Sequence, residues 1–550
     1  MIDKKWILLH SKKVTRQVGP EEVLKILLKN RKIVSSKRAE FLNPTHPSKI
    51  DPAKAGISKT SLDRAGGLIK RSKKEKIVVY GDYDADGLSS AAIVWESLWA
   101  KGYDVIPFMP HREEDGYGIN PGSVKKLKKK YPNLGLIITV DNGIVAFDGI
   151  KTAKDLGIKT IITDHHLALD KLPPADVIVH STELAGSGVA WFLASLFGYR
   201  SLELVALGTI ADMLPLSGVN RSFVKYGIKE ISKTNRVGLK LLKQKGGIGS
   251  KDEVLPWQVS FILAPRLNAA GRLSDAVDGL RLLCTKKTAR AKELVEKLET
   301  INSKRQKLTI DGIDDAKKNI KPSLQKMIFA VDESYHQGII GLIAGKLTEE
   351  FYRPSIVISK GEKISRGSAR SVNGFNIIEF IRKAEPLLID AGGHPMAAGF
   401  TIETSKINKF INQLGKMAEK EIKTEDLAPE LKIDFSTDAS LVGKKLYRLI
   451  QELAPFGLGN PEPLFLIKRA RVVRCQALGS ERQHLKLWLD DPETKAIERV
   501  VAEAIGFGWG DFWQDLLTGD FVDLVASLNL NRWRDRETIQ LKIRDLRKAG

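Results

Sequence analysis

Between residue 77 and about residue 215, short apolar runs alternate with amphipathic stretches. Ile77-Val78-Val79, Leu136-Ile137-Ile138-Thr139-Val140 and Thr160-Ile161-Ile162 show no polar alternation, the pattern of strands buried on both faces of a parallel sheet. Strands are expected near 77–81, 104–108, 136–140, 159–163 and 176–179, with helices near 88–101, 122–131, 147–156 and 188–198 between them. That alternation predicts a parallel, doubly wound α/β sheet. Residues 220–325 read as mostly helical. From Thr288 to about Lys318 the chain is highly charged with leucine and isoleucine at helical spacing, as in a long connecting helix. A second α/β lobe follows, with strands near 327–331 and 355–359 and a glycine cluster over 391–399. From about 465 short β-like runs, including 521–525 and 539–541, predict a small barrel. The expected division is a lead-in region 1–75, a first α/β domain 76–219, a helical region 220–325, a second α/β lobe 326–464 and a barrel 465–550.

At 550 residues the chain is too long for one core. It has no run of eighteen apolar residues, and its first residues lack the apolar core of a signal peptide. With two widely spaced cysteines, Cys284 and Cys475, that matches a cytoplasmic protein with structural thiols, without membrane attachment. Lysine and arginine number 88 against 66 acids, a net charge of +22, so polyanions and above all nucleic acid are the expected partners. The run Lys125-Lys126-Leu127-Lys128-Lys129-Lys130 has helical company and reads as a solvated face.

The candidate chemistry lies where the apolar runs stop. Asp82, Asp84 and Asp86 follow the first strand, Asp141 the third, and Asp164-His165-His166 the fourth; Asp212 follows an apolar helix over 202–210. Ligands of open α/β sheets sit at the carboxyl ends of strands. The three acids after the first strand share one site only if the chain has turned there, which Gly87 and a helix from about Leu88 permit. Carboxylates collected at one buried edge repel one another and are costly to desolvate. A pair of hard divalent cations is the simplest neutralisation, and the residues read first as a two-metal phosphoesterase.

The chain resembles the DHH phosphoesterase superfamily, and within it the RecJ single-strand-specific exonucleases. Asp82-Tyr83-Asp84-Ala85-Asp86-Gly87, Val140-Asp141-Asn142-Gly143, Asp164-His165-His166 and Asp212 with Pro215-Leu216 look like the four motifs of that family. His111-Arg112, Gly186-Ser187-Gly188, Pro265-Arg266-Leu267-Asn268-Ala269-Ala270-Gly271-Arg272, His336-Gln337-Gly338, Gly367-Ser368-Ala369-Arg370-Ser371 and Gly392-Gly393-His394-Pro395 extend the resemblance. It covers roughly residues 77–400, and more weakly an oligonucleotide-binding (OB) barrel after them.

The resemblance implies a DHH catalytic domain, a DHH-associated domain and an OB-fold. Asp84 and Asp141 would hold one metal, and Asp86, Asp141, His165 and Asp212 the other, with Asp141 bridging. Tyr80 stands where related enzymes often have a histidine, so Asp82 or water would complete the first ion, and the share of Asp82, Asp84 and Asp86 between the ions stays open. Mixed carboxylate and imidazole ligation suits manganese or magnesium, with manganese favoured by the histidine. Asp164 would orient a ligand, while His166, Arg112 and His394 would meet the phosphoryl oxygens. Ser368, Arg370 and Ser371 would anchor a 5′ phosphate. Arg266, Asn268 and Arg272 would line the single-strand passage, with helix packing as the other reading of the two arginines. In the barrel, Arg469, Arg471, Arg474, Lys486, Arg532, Arg534, Lys542 and Arg544 alternate with Phe507, Trp509, Phe512, Trp513 and Trp533, suited to backbone contact and base stacking. The implied activity is a 5′-to-3′ exonuclease for single-stranded DNA in recombination and repair, a monomer working with a helicase and a single-strand-binding protein. The rivals are a short-oligonucleotide or cyclic-dinucleotide phosphodiesterase with the same site, and a noncatalytic DNA-binding scaffold.

Overall fold

The computed structural model describes the chain apart from residues 1–2, 16, 112–114, 117, 321–324, 492–500, 534–535 and 550, and the side chains of 440, 532, 533 and 536. It forms two compact units, residues 1–3, 56–212 and 229–429 in one and 4–55, 213–228 and 430–550 in the other.

The first unit opens with five parallel strands, β1 (Lys76–Gly81), β2 (Val105–Phe108), β3 (Leu134–Val140), β4 (Lys159–Asp164) and β5 (Val177–His180), in the order β2-β1-β3-β4-β5. Ile77, Val78 and Val79 are fully buried, as are Ile137, Ile138, Ile161 and Ile162, which is why those runs carry no polar alternation. The order reverses between β1 and β3, and Gly81 pairs with Val140, which pairs with Thr163. Three strand ends are thereby level at the crevice where doubly wound sheets take their ligands.

Helix α1 (Ala85–Trp99) leaves that crevice and is buried along its first ten residues, Ala85 to Val94. Its small residues let α2 (Gly186–Ser195) and α3 (Glu203–Ala211) pack closely on it. After further helices, α4 (Ala264–Leu273) leads by way of a short helix to α5 (Thr288–Asn319), the expected connecting helix. Its 32 residues span about 48 Å at the usual rise.

The second lobe of this unit carries β6 (Ile328–Asp332), α6 (Ile340–Phe351), β7 (Ser355–Ser359), β8 (Ile364–Arg370), β9 (Leu388–His394) and β10 (Ala397–Glu403), with strand order β9-β10-β8-β7-β6. The sequence pattern predicts only β6 and β7. The other three strands are rich in glycine and polar residues, which weaken a strand signal. Gly367 and Gly399 nevertheless belong there: Gly367 pairs with Phe400, and a side chain on Gly367 would overlap the Phe400 ring.

In the second unit, β11 (Phe435–Thr437), β12 (Phe465–Leu478), β13 (His484–Asp490), β14 (Ala502–Phe507), β15 (Phe521–Trp533) and β16 (Arg536–Lys548) form one sheet. Strands β12 to β16 pair in a ring, because β15 pairs with β12 as well as with β16. Residues 4–55 pack with this barrel, which the reading of a lead-in region did not anticipate. Strand Lys5–Leu8 pairs with Glu430–Ile433, Trp6 Nε1 donates to Asp545 (2.6 Å), and Arg31 binds Asp434 (3.1 Å). Arg221 is the unit's buried clasp: its guanidinium donates to the carbonyls of Phe41, Leu453, Ala454 and Pro455. Among the described residues, no helix is long and apolar enough to cross a membrane.

Candidate metal centre

The turn after β1 places its acids by capping. Asp84 is the N-cap of α1, its Oδ1 accepting from Asp86 N (3.0 Å) and Gly87 N (2.9 Å). Asp86, inside the helix, is 1% exposed. Asp82 Oδ1 accepts from Tyr83 N (2.7 Å), and Gly87 is required because a Cβ there would lie 2.5 Å from Asp82 O. The chain has left the strand at Gly81, so Asp82, Asp84 and Asp86 are no longer bound to strand alternation.

Asp141 holds φ +62°, a left-handed conformation that a non-glycine residue adopts only at a cost of about 1 kcal/mol or more, and its N–H bonds Thr163 O (2.9 Å). The conformation turns its carboxylate toward the acids of the neighbouring loop. Asp212 ends α3. Two glycines make room: a methyl on Gly186 would overlap Asp141 Oδ1, and one on Gly208 would overlap Asp86 Oδ1.

Asp82, Asp84 and Asp141 offer ligand atoms within 4.8 Å of one another, as do Asp86, His165 and Asp212, and also Asp141, His165 and His166. Asp141 belongs to the first and third sets, and its Oδ1 is 3.1 Å from Nε2 of His165, which joins the third set to the second. Asp86 Oδ2 and Asp141 Oδ1 are buried and accept no hydrogen bond from the described residues. Oxygens left in that state cost several kcal/mol unless a cation takes their lone pairs, so these residues fit divalent metal ions.

The protonation pattern agrees. Burial first, and then the charges of its neighbours Asp86, Asp84, Asp82 and Asp212, push Asp141 well above the usual carboxylate range. Burial, with the charges of Asp86 and Asp84 behind it, pushes Asp212 up to about 8; Asp86 rises to about 6 through burial and Asp84. The two adjacent histidines separate in opposite directions. Burial and then the charge of His166 lower His165 to about 4, leaving a neutral imidazole of the kind a metal binds. Burial opposes the charge on His166, but the hydrogen bond from its Nδ1 to Asp164 (2.8 Å) and the negative charges of Asp164, Asp212 and Asp82 prevail and raise it to about 9. Asp164 is itself buried, yet hydrogen bonds from the His166 side chain and the Ile144 and His166 N–H groups hold it below its ordinary value.

Tyr80 turns away from the centre. Its hydroxyl bonds Gly118 O (3.0 Å) and Ser123 Oγ (3.2 Å), and its ring packs on Phe108. Asn268, expected along the strand passage, accepts from Ala85 N (2.6 Å) through its Oδ1 and so steadies the acid-bearing turn. Arg266 is held by Glu299 (2.7 and 3.3 Å) and donates to Ile262 O, bonds that serve packing in the ligand-free chain. Arg272 joins α4 to the second lobe through Gly338 O (3.1 Å). Ser371, expected at a phosphate, is buried, and its hydroxyl donates to Phe375 O (2.6 Å). Ser368 and Arg370 do assemble: Arg370 Nη1 donates to Ser368 Oγ (3.1 Å), and a Cβ on Gly341, in the first turn of α6, would lie 2.8 Å from Arg370 Nη2. Arg370 has no carboxylate at ion-pair distance among the described residues, and burial lowers its pKa. His394 is exposed where β9 ends. Arg112 lies outside the described residues.

The sequence reading missed the supports of the acids. Ser187 N donates to Asp86 Oδ1 (3.1 Å), His180 Nε2 bonds His166 O (2.7 Å), and Gly186 and Gly208 supply space. Gly186-Ser187 was visible as a motif, but its task depends on a helix arriving from a hundred residues away. Gly208→Ala is expected to weaken metal affinity at least about tenfold, measured by calorimetric titration with manganese.

In the barrel, Trp509 is core, whereas Phe507 and Trp513 are exposed. Trp488, absent from the sequence-based set, lies between Arg474 and Lys486, each 4.7 Å from its ring centre. Arg471 and Arg544 are paired with Asp490 and Glu462.

The chain matches the DHH family, N-terminal domain, over residues 76–214, the DHHA1 domain over 324–420 and the RecJ OB domain over 433–545. It is 34% identical to the single-stranded-DNA-specific exonuclease RecJ of Bacillus subtilis (strain 168), covering 97% of this chain and 69% of that one. Identity to the protein of the same name from Escherichia coli (strain K12) is 30%, with 88% and 90% covered. The crystal structure of RecJ in complex with Mn2+ from Thermus thermophilus matches with a TM-score of 0.82 at 29% identity, over 99% of this chain and 80% of that one. A crystal structure of the same protein with Mg2+ matches with a TM-score of 0.76 at 28% identity, over 99% and 79%. With the buried acids at the sheet edge and all three domains in RecJ order, the chain belongs to the RecJ family of DHH phosphoesterases.

Proposed function

We propose that this protein is a metal-dependent exonuclease that hydrolyses single-stranded DNA from its 5′ end. The observation that carries the reading is the ligand sets joined through Asp141 and His165, with two buried carboxylate oxygens that accept no hydrogen bond from the described residues. The family relationship supplies the substrate, since its named relatives are single-stranded-DNA-specific exonucleases.

Asp82, Asp84 and Asp141 would hold one cation and Asp86, Asp141, His165 and Asp212 the second, with manganese preferred over magnesium because of the imidazole. Bound there, the ions supply an activated water and a clamp on the leaving oxygen. His166, protonated through Asp164, would place a positive N–H group on the phosphoryl oxygens, where charge builds as the phosphodiester is cleaved. His394 would do the same from the second lobe. The Arg370 guanidinium, the Ser368 hydroxyl and the start of α6 form a site for a terminal phosphate. A 5′ phosphate fixed there, with the next phosphodiester at the metal centre, gives stepwise release from that end. The division into a catalytic domain 76–219, a helical region 220–325, a DHH-associated domain 326–464 and an OB domain from 465, after a segment 1–75, belongs to this proposal.

A 5′-phosphorylated single strand labelled at its 3′ end, incubated with manganese, should shorten stepwise, while the matching duplex and RNA persist. Removing the 5′ phosphate should raise KM about tenfold, the scale of one charge-assisted contact. Internal cleavage, or equal digestion of duplex, would remove the reading.

A further inference from the structure

Trp257 and Phe261 are 53% and 76% exposed, with Leu255 beside them at 44%. They are four residues apart on one helical stretch, Pro256–Gln258 running into the π-helix Val259–Leu263, and therefore share a face. Large rings are seldom left in water side by side without a partner. A π turn is a costly local widening that is kept mostly at functional sites. This one continues directly into α4, whose Asn268 holds the acid-bearing turn and whose Gly271 lies against Tyr83. Helix α3, which ends in Asp212, packs against the same π turn. The rings thus stand on the scaffold of the metal centre, with Phe261 about 10 Å along the helix from Asn268.

A cation stands on α5, the helix packed against α4. Arg305 of α5 is half-buried beside Arg266, and the two guanidinium charges repel. Arg266 is neutralised by Glu299. Arg305 has no carboxylate at ion-pair distance among the described residues, and its Nε is buried without an acceptor. A guanidinium in that position is completed by an anion.

We propose that Trp257, Phe261 and Arg305 form a single-strand contact beside the metal centre, with bases stacking on the two rings and a backbone phosphate on Arg305. Exposed rings on one helix and a cation without a described counter-ion on the helix packed against it are the chemistry of sequence-independent single-strand binding, and a purely apolar protein partner would leave Arg305 unanswered. The proposal rests on the reading of the chain as a single-strand nuclease, and it adds a holding surface in the helical region between the two lobes.

The test compares KM for a 5′-phosphorylated trinucleotide and a twenty-nucleotide strand in the full-length, manganese-loaded protein. Trp257→Ala/Phe261→Ala should raise KM about fivefold or more on the long strand while leaving the trinucleotide value in place, and Trp257→Phe/Phe261→Tyr should restore it. Arg305→Gln should reduce the slope of log KM against log salt by about 0.7, the value for one phosphate contact on a single strand. An equal rise on both substrates, no rise on either, or failure of the aromatic pair to restore KM would overturn the proposal. So would a double-alanine variant that digests DNA normally but loses binding to a protein. A wild-type protein that degrades no single strand would instead bring down the nuclease reading itself.

Discussion

Asp141→Asn is expected to lower kcat on single-stranded DNA by at least about 10³-fold while leaving the fold intact. Asp141 belongs to two of the three ligand sets, and its Oδ1 is one of the two buried carboxylate oxygens that accept no hydrogen bond among the described residues. In the proposed two-ion centre its loss would weaken both halves, and the chain would no longer hold the ions that would lower the pKa of the attacking water. Asparagine is the informative replacement because it tolerates the left-handed backbone that Asp141 adopts at φ +62°; alanine would add strain to the loss of the ligand. The same substitution removes one charge from a group of mutually repelling acids. Thermal unfolding of the metal-free variant should therefore occur at or above the wild-type temperature, while manganese should stabilise it much less than it stabilises the wild type. Retained activity would show that the bridge lies elsewhere; a large drop in metal-free stability would show that Asp141 is structural.

Much of this centre could be read from sequence because its parts sit at the ends of apolar runs. Asp141, and the acids that follow β1 and β4, appear where buried strands stop, and the strand order then brings those ends level. What could not be read is the arrangement of groups that arrive from distant segments. Asn268 was legible as a strand contact, but its bond to Ala85 N, 183 positions away, was not. Arg266 gave no sign in sequence that Glu299 would claim it. Gly208 is one small residue in an apolar helix, and only the approach of Asp86 gives it a task. The glycine-rich strands β8 to β10 escaped notice for a different reason, since their stability comes from pairing and from Phe400 lying over Gly367 rather than from alternation of their own side chains. Residues 4–55 likewise carry helical and turn signals that say nothing of which part of the chain they join.

Manganese affinity should rise steeply with pH, about 10²-fold or more between pH 6.5 and 8.5, and the stability of the metal-free protein should fall over the same interval. Asp212 is raised to about 8 and Asp141 well above its ordinary range, in both cases by burial first and neighbouring carboxylates second. His166 is raised to about 9 because its bond to Asp164 outweighs burial. Each of these groups holds a proton in the folded chain that it has lost in the unfolded chain across this window. Folding therefore takes up protons, and stability falls as pH rises until the folded-state values are passed. His165, lowered to about 4, works in the opposite sense, but between pH 4 and 6.5, below the window, and Asp86, near 6, has largely titrated before it. A divalent cation must displace the carboxylate protons, so each proton released adds up to tenfold in affinity per pH unit. Calorimetric titration in buffers of different ionisation enthalpy should show proton release that shrinks toward pH 8.5. Unfolding scans should show the metal-free protein several degrees less stable at pH 8.5 than at 6.5, with the difference reversed when manganese is present. Affinity that does not vary with pH would mean that the carboxylates are already ionised without metal, and the mutual repulsion inferred from their burial would then be wrong.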